Sequence, residues 1–299
     1  MTHTPYDGSS KPFTIGLKPL DITDWIEIDR HLPAYLDEKQ RLLGTVRDKI
    51  LASEPGTEGS QREILDALVA HLLSIFPNTY RLNDRTMEII PAKRTVNLDD
   101  PTLPVLHIAA SLIQEDLVLM RGGANGWRLA AASLCFPSAW NLHEKFGKPI
   151  HEIHKPVPGF GEGTRNAELI ARMFDKLQPN QPVIRWNWSL YGDANLYHPV
   201  SDHGMKRRFG EKGDQIVLRL ERQTLRKMPI SGDLLFTIRI HNDPLEMLET
   251  HADGGQLASA IAAQVAAFSA SEVAYKGIED EREALLTRLN RIAGLPRPI

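Results

Sequence analysis

The chain has 299 residues, 42% hydrophobic and 24% charged, enough apolar material for the core of one large domain or two modest ones. Thirty-five basic side chains against 38 acidic ones leave a formal net charge of −3, which gives no global pull toward nucleic acid or an anionic membrane. The single cysteine, Cys135, excludes an intramolecular disulfide, the start "MTHTPYDGSSKPF" lacks the apolar run of a secretory signal, and no apolar run approaches the roughly 18 residues that cross a bilayer, so a cytoplasmic protein is expected.

Residues 1–12 are polar and read as a flexible N-terminus. "FTIGLKPLDITDWIEID" then mixes apolar and turn residues into an arm expected to wrap a neighbouring element. In "SQREILDALVAHLLSIF", Ser60 and Glu63 make a capping-box pattern, and Ile64, Leu65, Leu68, Leu72 and Ile75 form a helical stripe. "DLVLMRGGANGWRLAAASLCF" is an apolar run, a glycine-rich turn and a second apolar run, which predicts a β-hairpin turning at Gly122 to Gly126. A short helix is expected over "SAWNLHEKFG", with Ser138 as N-cap and Gly147 as its stop. In "TRNAELIARMFDKL" a second stripe of Leu169, Ile170, Met173, Phe174 and Leu177 predicts another helix.

Three more strands follow, "VIRWNWSL", "QIVLRLERQT" and "LLFTIRIH". In the second, Ile216, Leu218 and Leu220 alternate with Val217, Arg219 and Glu221, and "KMPISGD" is short enough to join the last two as a hairpin. The tail is helical, an alanine-rich stretch and then "DEREALLTRLNRI" with Leu285, Leu286, Leu289 and Ile292 on one side. The order predicts an α+β fold, an antiparallel sheet of about five strands flanked by helices. It places a domain over 13–250 and a C-terminal helical extension, 251–299, packed on it.

Several residues could carry chemistry. In "HEIHKPVPGF", His151 and His154 stand three apart, a spacing that can present two imidazoles to one metal, though no third ligand of clear spacing stands nearby. A single axial imidazole on a segment stiffened by Pro156 and Pro158 suits a haem iron; solvent-facing residues after a helix are the competing reading. Cys135 offers the alternative axial ligand, yet it ends an apolar strand, where cysteine behaves as a small buried hydrophobe. "GFGEGT" lacks the preceding strand and the glycine spacing of a dinucleotide fingerprint and reads as a loop before a helix. Trp186 and Trp188 share one side of a strand, with Asn187 on the other, and could line a cofactor or a small cation, or pack in a core. Glu221, Arg222, Gln223, Thr224, Arg226 and Arg239 put many hydrogen-bonding groups on apolar strands, where burial without partners costs about 1–3 kcal/mol each. Either they pair among themselves or they hold an anion such as a carboxylate. "KRRFGEKGD" near Lys206 is a solvated hairpin loop or a docking surface for a partner.

"CFPSAWNLHEKFGKPIHEIHKPVPG", "NWSL", "RLERQTLRKMPISGDLLFTIRIHNDPL" and the N-terminal "FTIGLKPLDITDWIEID" together resemble the haem-dependent oxidative N-demethylase family over roughly residues 12–247. The resemblance implies a PAS-like domain holding haem b, and oxidation of a methyl group of a small secondary amine such as dimethylamine with O2. It implies electrons from NADPH through a separate flavin and iron–sulfur reductase subunit, in a hetero-oligomeric complex, with formaldehyde released. It implies His154 as the axial ligand, with His151 or Cys135 as fallback. By the same likeness Arg222, Gln223, Thr224 and Arg226 are implied at the propionates or on the route of electrons and protons. Trp186, Trp188 or Glu221 would face the amine nitrogen. "GFGEGT" departs from the family's pattern at the pocket rim. The rival readings are a PAS-like haem sensor of O2 or NO, and a scaffold subunit without haem.

Overall fold

The computed structural model describes residues 1–199 and 215–294. In chain order the elements are β1 (Lys18–Pro19), α1 (Leu32–Ile50), β2 (Leu51–Ser53), α2 (Glu58–Ile75), β3 (Tyr80–Asn83), β4 (Thr86–Ile89), β5 (Arg94–Asn97) and α3 (Val105–Ala110). Then come β6 (Asp116–Arg121), β7 (Arg128–Ser133), α4 (Leu142–Lys145), α5 (Ile150–Ile153), α6 (Arg165–Lys176), β8 (Val183–Tyr191), β9 (Val217–Lys227) and β10 (Leu234–Pro244). Helices α7 (Gly254–Ala267), α8 (Ala270–Lys276) and α9 (Arg282–Ile292) close the described chain. The "KRRFGEKGD" segment lies outside the described residues.

The fold is α+β. Its main sheet has seven strands in the order β1-β8-β9-β10-β6-β7-β2, with every neighbouring pair antiparallel. The inner five are the ones the sequence predicts, β6 and β7 from apolar runs about a glycine-rich turn and β8, β9 and β10, at 9–11 residues, from runs long enough for a period of two to register. The two edge strands, of two and three residues, are too short to leave such a pattern. A separate three-stranded sheet, β3-β4-β5, uses four-residue strands and a tight turn in which Asp84 takes φ 52, a conformation aspartate tolerates better than most residues.

Two local expectations differ from the structure. Helix α2 starts at Glu58, so Ser60 and Glu63 lie within it rather than capping it. Ser60 Oγ donates instead to Asp233 Oδ2 (2.7 Å), and the Glu63 carboxylate accepts from the N–H groups of Ile230 and Ser231 (2.7 and 2.9 Å). The docked β9–β10 turn claims both side chains. Helix α4 is capped by Asn141, because Ser138 Oγ is occupied in accepting from Arg219 Nε at 2.8 Å.

One face of the sheet, through Leu117, Leu119 and Leu235, packs on α2 and α3, while Trp188, Leu218 and Leu220 of the same face meet α7 and α9. The opposite face, through Val118, Met120 and Ile238, faces α4, α5 and α6. The N-terminal stretch lies along the molecule, with Tyr6 fully buried beside Trp188 and its carbonyl accepting from Gln264 of α7. Two buried charges shape the loop after β7. Asp116 accepts from the N–H groups of Cys135 and Phe136 (2.9 and 2.6 Å). Arg219 donates to the carbonyls of Phe136, Pro137, Asn195 and Leu196. No described helix is by itself long and apolar enough to cross a membrane.

Asp116→Ala strands two buried N–H donors and is expected to cost about 3–5 kcal/mol in urea unfolding, with Asp116→Asn costing less because one acceptor survives. His107, buried with Nδ1 2.9 Å from Ser133 Oγ, is pulled from its ordinary 6.5 to about 4 by burial first and by Lys39 and Arg47 second. A depressed folded value means its contribution is whole above 6.5 and is lost as pH falls through about 4. Unfolding stability is therefore expected to fall across that window, and His107→Gln to flatten the slope when stability is plotted against pH.

Candidate functional site

The pleat of β8, β9 and β10 sends alternate residues to opposite sides. On one side, Arg185, Asn187 and Ser189 of β8 stand beside Glu221 and Gln223 of β9, with Arg185 registered opposite Gln223 and Asn187 opposite Glu221. These five side chains line a cavity of about 240 Å³, just below the roughly 300–1,000 Å³ usual for ligand sites. Its other walls are largely apolar, from Val118, Met120, Phe236 and Ile238 of the sheet and from α5 and α6, with Ser138, Lys145, His154, Tyr275 and Lys276 among them. A shallower groove of about 700 Å³ shares Leu17, Met173, Phe174 and Leu225 with it.

His154 closes α5 and faces this cavity, its ring 6.0 Å from that of Phe160, a residue of the "GFGEGT" loop, in an edge-on contact. Pro149 opens this single turn, and the prolines after Lys155 prevent its extension. Among the described residues the imidazole has no hydrogen-bond partner. Burial, and then the positive charges of Lys145 and Arg185, bring its pKa from 6.5 to about 3, so the ring is neutral and offers a lone pair.

Charge in the cavity is incompletely matched. Glu221 Oε2 accepts from Gln223 Nε2 (2.6 Å) and Asn187 Nδ2 (3.3 Å). Arg185 donates through Nη2 to the carbonyl of Thr14 (3.3 Å), but its Nε is buried with no partner. Burial lowers the Arg185 pKa, opposed by Glu221 and Tyr275. Lys145 reaches the Ile153 carbonyl at 3.2 Å and lies 5.0 Å from the Trp140 ring; burial brings it from 10.5 to about 8, with Glu144 and Glu221 pulling the other way.

The structure thus brings His154, Glu221 and Gln223 together. It places Arg222, Thr224, Arg226, Arg239, Trp186 and Trp188 on the other side of the sheet, outside the cavity lining. There Arg222 donates to the carbonyls of Asp24 and Trp25, and Thr224 Oγ1 lies 2.6 Å from Thr237 Oγ1. Arg226 stacks on Trp25 at 4.3 Å, and Arg239 pairs with Asp29 (2.9 Å) over the Tyr35 ring. Trp186 meets His3 and His241, and Trp188 meets Tyr6 and Phe268. His151 is absent from the lining. So is Cys135, whose thiol is pushed up by burial and by the Asp116 carboxylate and is no thiolate donor. Arg185, Asn187, Ser189 and Lys145 are cavity residues that the sequence reading did not single out. A signal existed: once the tryptophans of "RWNWS" are assigned to a packed face, Arg185, Asn187 and Ser189 must share the other, in the middle of a buried strand.

A model of the family described as haem-dependent oxidative N-demethylase, alpha subunit-like, matches residues 16–286. The residues present fit haem. Such a group asks for an axial donor, an apolar enclosure for its ring and cations for its carboxylates. The cavity offers an unengaged neutral imidazole, apolar walls, and Arg185 and Lys145, one of them with an unpartnered donor.

Arg185→Met removes a desolvated cation while keeping the stem. Without ligand the variant is expected to unfold in urea at the same or slightly higher denaturant concentration, and its affinity for haem, by spectroscopic titration, to fall about 10-fold or more, the worth of one hydrogen bond to a charged group.

Proposed function

The chain belongs to the haem-dependent oxidative N-demethylase, alpha subunit-like family, and from that premise we propose that it holds haem b in the cavity through His154 and demethylates a small secondary amine. The observation that carries this reading is the His154 ring itself: a neutral imidazole, free of hydrogen bonds among the described residues, facing a cavity whose opposite wall is polar. Haem, when bound, supplies the oxidation by O2 of a carbon–hydrogen bond beside nitrogen, with electrons delivered from NADPH by a flavin and iron–sulfur reductase subunit. With a single cysteine this chain has no thiolate set for an iron–sulfur cluster of its own.

The chain's residues have distinct tasks. His154 stands at the end of a one-turn helix between Pro149 and the Pro156/Pro158 pair, which limits the entropy lost when it is fixed on a metal. Arg185 and Lys145 meet carboxylates. Glu221, already oriented by Asn187 and Gln223, holds a protonated alkylamine in the cavity and keeps its nitrogen turned toward the sheet. Lys145, with its pKa near 8, exchanges a proton at Nζ close to neutral pH. The apolar side chains around them exclude water. An antiparallel sheet with one face forming the wall of the ligand cavity accords with a PAS-like arrangement.

His154→Ala is expected to lose most of the haem and its Soret absorption after reconstitution; unchanged haem content and spectrum would remove His154 from the role. Glu221→Gln is expected to keep haem but to lower kcat/KM for dimethylamine about 10- to 100-fold, read as formaldehyde release with the reductase supplied. Haem binding without any amine-dependent formaldehyde points to a sensor of O2 or NO, and a protein that takes up no haem points to a scaffold subunit.

A further inference from the structure

We propose that His3, Glu27 and His241 form a second site, on the side of the sheet away from the cavity, for one divalent transition-metal ion of the zinc or iron(II) class. The three residues come from the N-terminal stretch, the segment before α1 and strand β10. Their donor atoms lie within 4.8 Å of one another. His3 Nε2 is 2.6 Å from Glu27 Oε1, and His241 Nε2 is 3.3 Å from Glu27 Oε2, so the carboxylate sits between two imidazoles and offers one oxygen to each. Donors held at about 2.0–2.1 Å from one ion stand about 3.0–3.4 Å apart, the spacing seen at His241.

Two of these atoms, Glu27 Oε2 and His241 Nε2, are buried without a hydrogen bond. They meet each other at 3.3 Å as a charge contact without hydrogen-bond geometry, and a cation between them would give each a directed bond in its place. The surroundings suit a metal centre. Trp186 flanks both rings, at 4.4 Å from His3 and 6.1 Å from His241, and covers one side of the half-buried group. Arg222 Nε, 3.5 Å from Glu27 Oε2, steadies the carboxylate from outside. Asp243, two residues along β10 from His241 on the same side, adds a second carboxylate that offsets the arginine. Two imidazoles and one carboxylate are a donor set for zinc or non-haem iron(II), not for calcium or magnesium. Bound there, an ion ties the first residues of the chain to the centre of the sheet.

The proposal does not depend on haem, and zinc is the probe that separates the two, since it needs no redox partner and EDTA dialysis leaves haem in place. Full-length protein, freed of any affinity tag and dialysed against EDTA, is titrated with Zn2+ in competition with a chromophoric chelator. One equivalent per chain is expected, with a micromolar or tighter Kd, and a Tm raised by several degrees at a hundredfold excess over Kd. His3→Ala, which removes a side chain outside every helix and strand, is expected to weaken zinc at least 10-fold while the zinc-free Tm and circular dichroism stay at the wild-type values. Glu27→Gln, which keeps the shape of the acid, is expected to weaken zinc at least 10-fold with its circular dichroism unchanged and its zinc-free Tm lowered by loss of the Arg222 and histidine pairs. Absence of stoichiometric zinc binding overturns the proposal. So does binding that persists unchanged in the His3→Ala/His241→Ala double variant.

Discussion

The structure turns on a conflict at its centre: β8, β9 and β10 are the middle of a sheet covered on both sides, yet they carry charged and polar side chains on both faces. Burial makes every such group find a partner or pay for lacking one. On the α2 side part of the demand is met within the chain, by carbonyls for Arg222, by Asp29 for Arg239 and by the Thr224–Thr237 pair, while Arg226 Nε, Arg239 Nε, Glu27 Oε2 and His241 Nε2 are left without a hydrogen bond. On the α5 side Arg185 Nε is buried without a hydrogen bond, and the His154 ring has no hydrogen-bond partner among the described residues. Open polar groups thus stand on both faces, at the cavity and at the His3–Glu27–His241 cluster. Arg219 makes the cavity side possible, since its bonds to four carbonyls and Ser138 hold the loops at one margin of the cavity.

Much of this architecture was legible in the residues. Apolar runs on either side of a glycine-rich turn marked β6 and β7, alternation marked β8, β9 and β10, and periodic apolar residues marked α2, α6 and α9. The two edge strands and the small sheet were not legible, because two to four residues carry too little pattern. The site was half legible. Alternation showed that Trp186 and Asn187 point opposite ways, and that Glu221 and Arg222 do too. What alternation does not say is which side is packed and which is open, so residues from both faces of β9 were grouped into one expected site. Only the docking of α2 and the segment around Trp25 on the even-numbered side of β9 separates them. The capping pattern at Ser60 misled for a related reason: a hydroxyl and a carboxylate that could cap a helix were needed by a hairpin 170 residues away along the chain, roughly the separation of Ser60 from Asp233.

Both proposed sites use the same three strands. Glu221, in the cavity, is the immediate neighbour of Arg222, whose guanidinium meets Glu27 across the sheet. A change in the position of β9 would be felt on both faces at once, through one backbone. The stiffness of a central strand bonded along both edges, to β8 and β10, opposes such change.

The three helices after β10 read as an appendage in the sequence, but α8 brings Tyr275 and Lys276 to the cavity lining, and Lys276 donates to the Trp188 carbonyl and to Ser189 Oγ. The tail is therefore part of the vessel. A chain ending at the last strand would be a bowl without one side, and a change of side chain at Tyr275 would reshape its interior while leaving the strands beneath untouched.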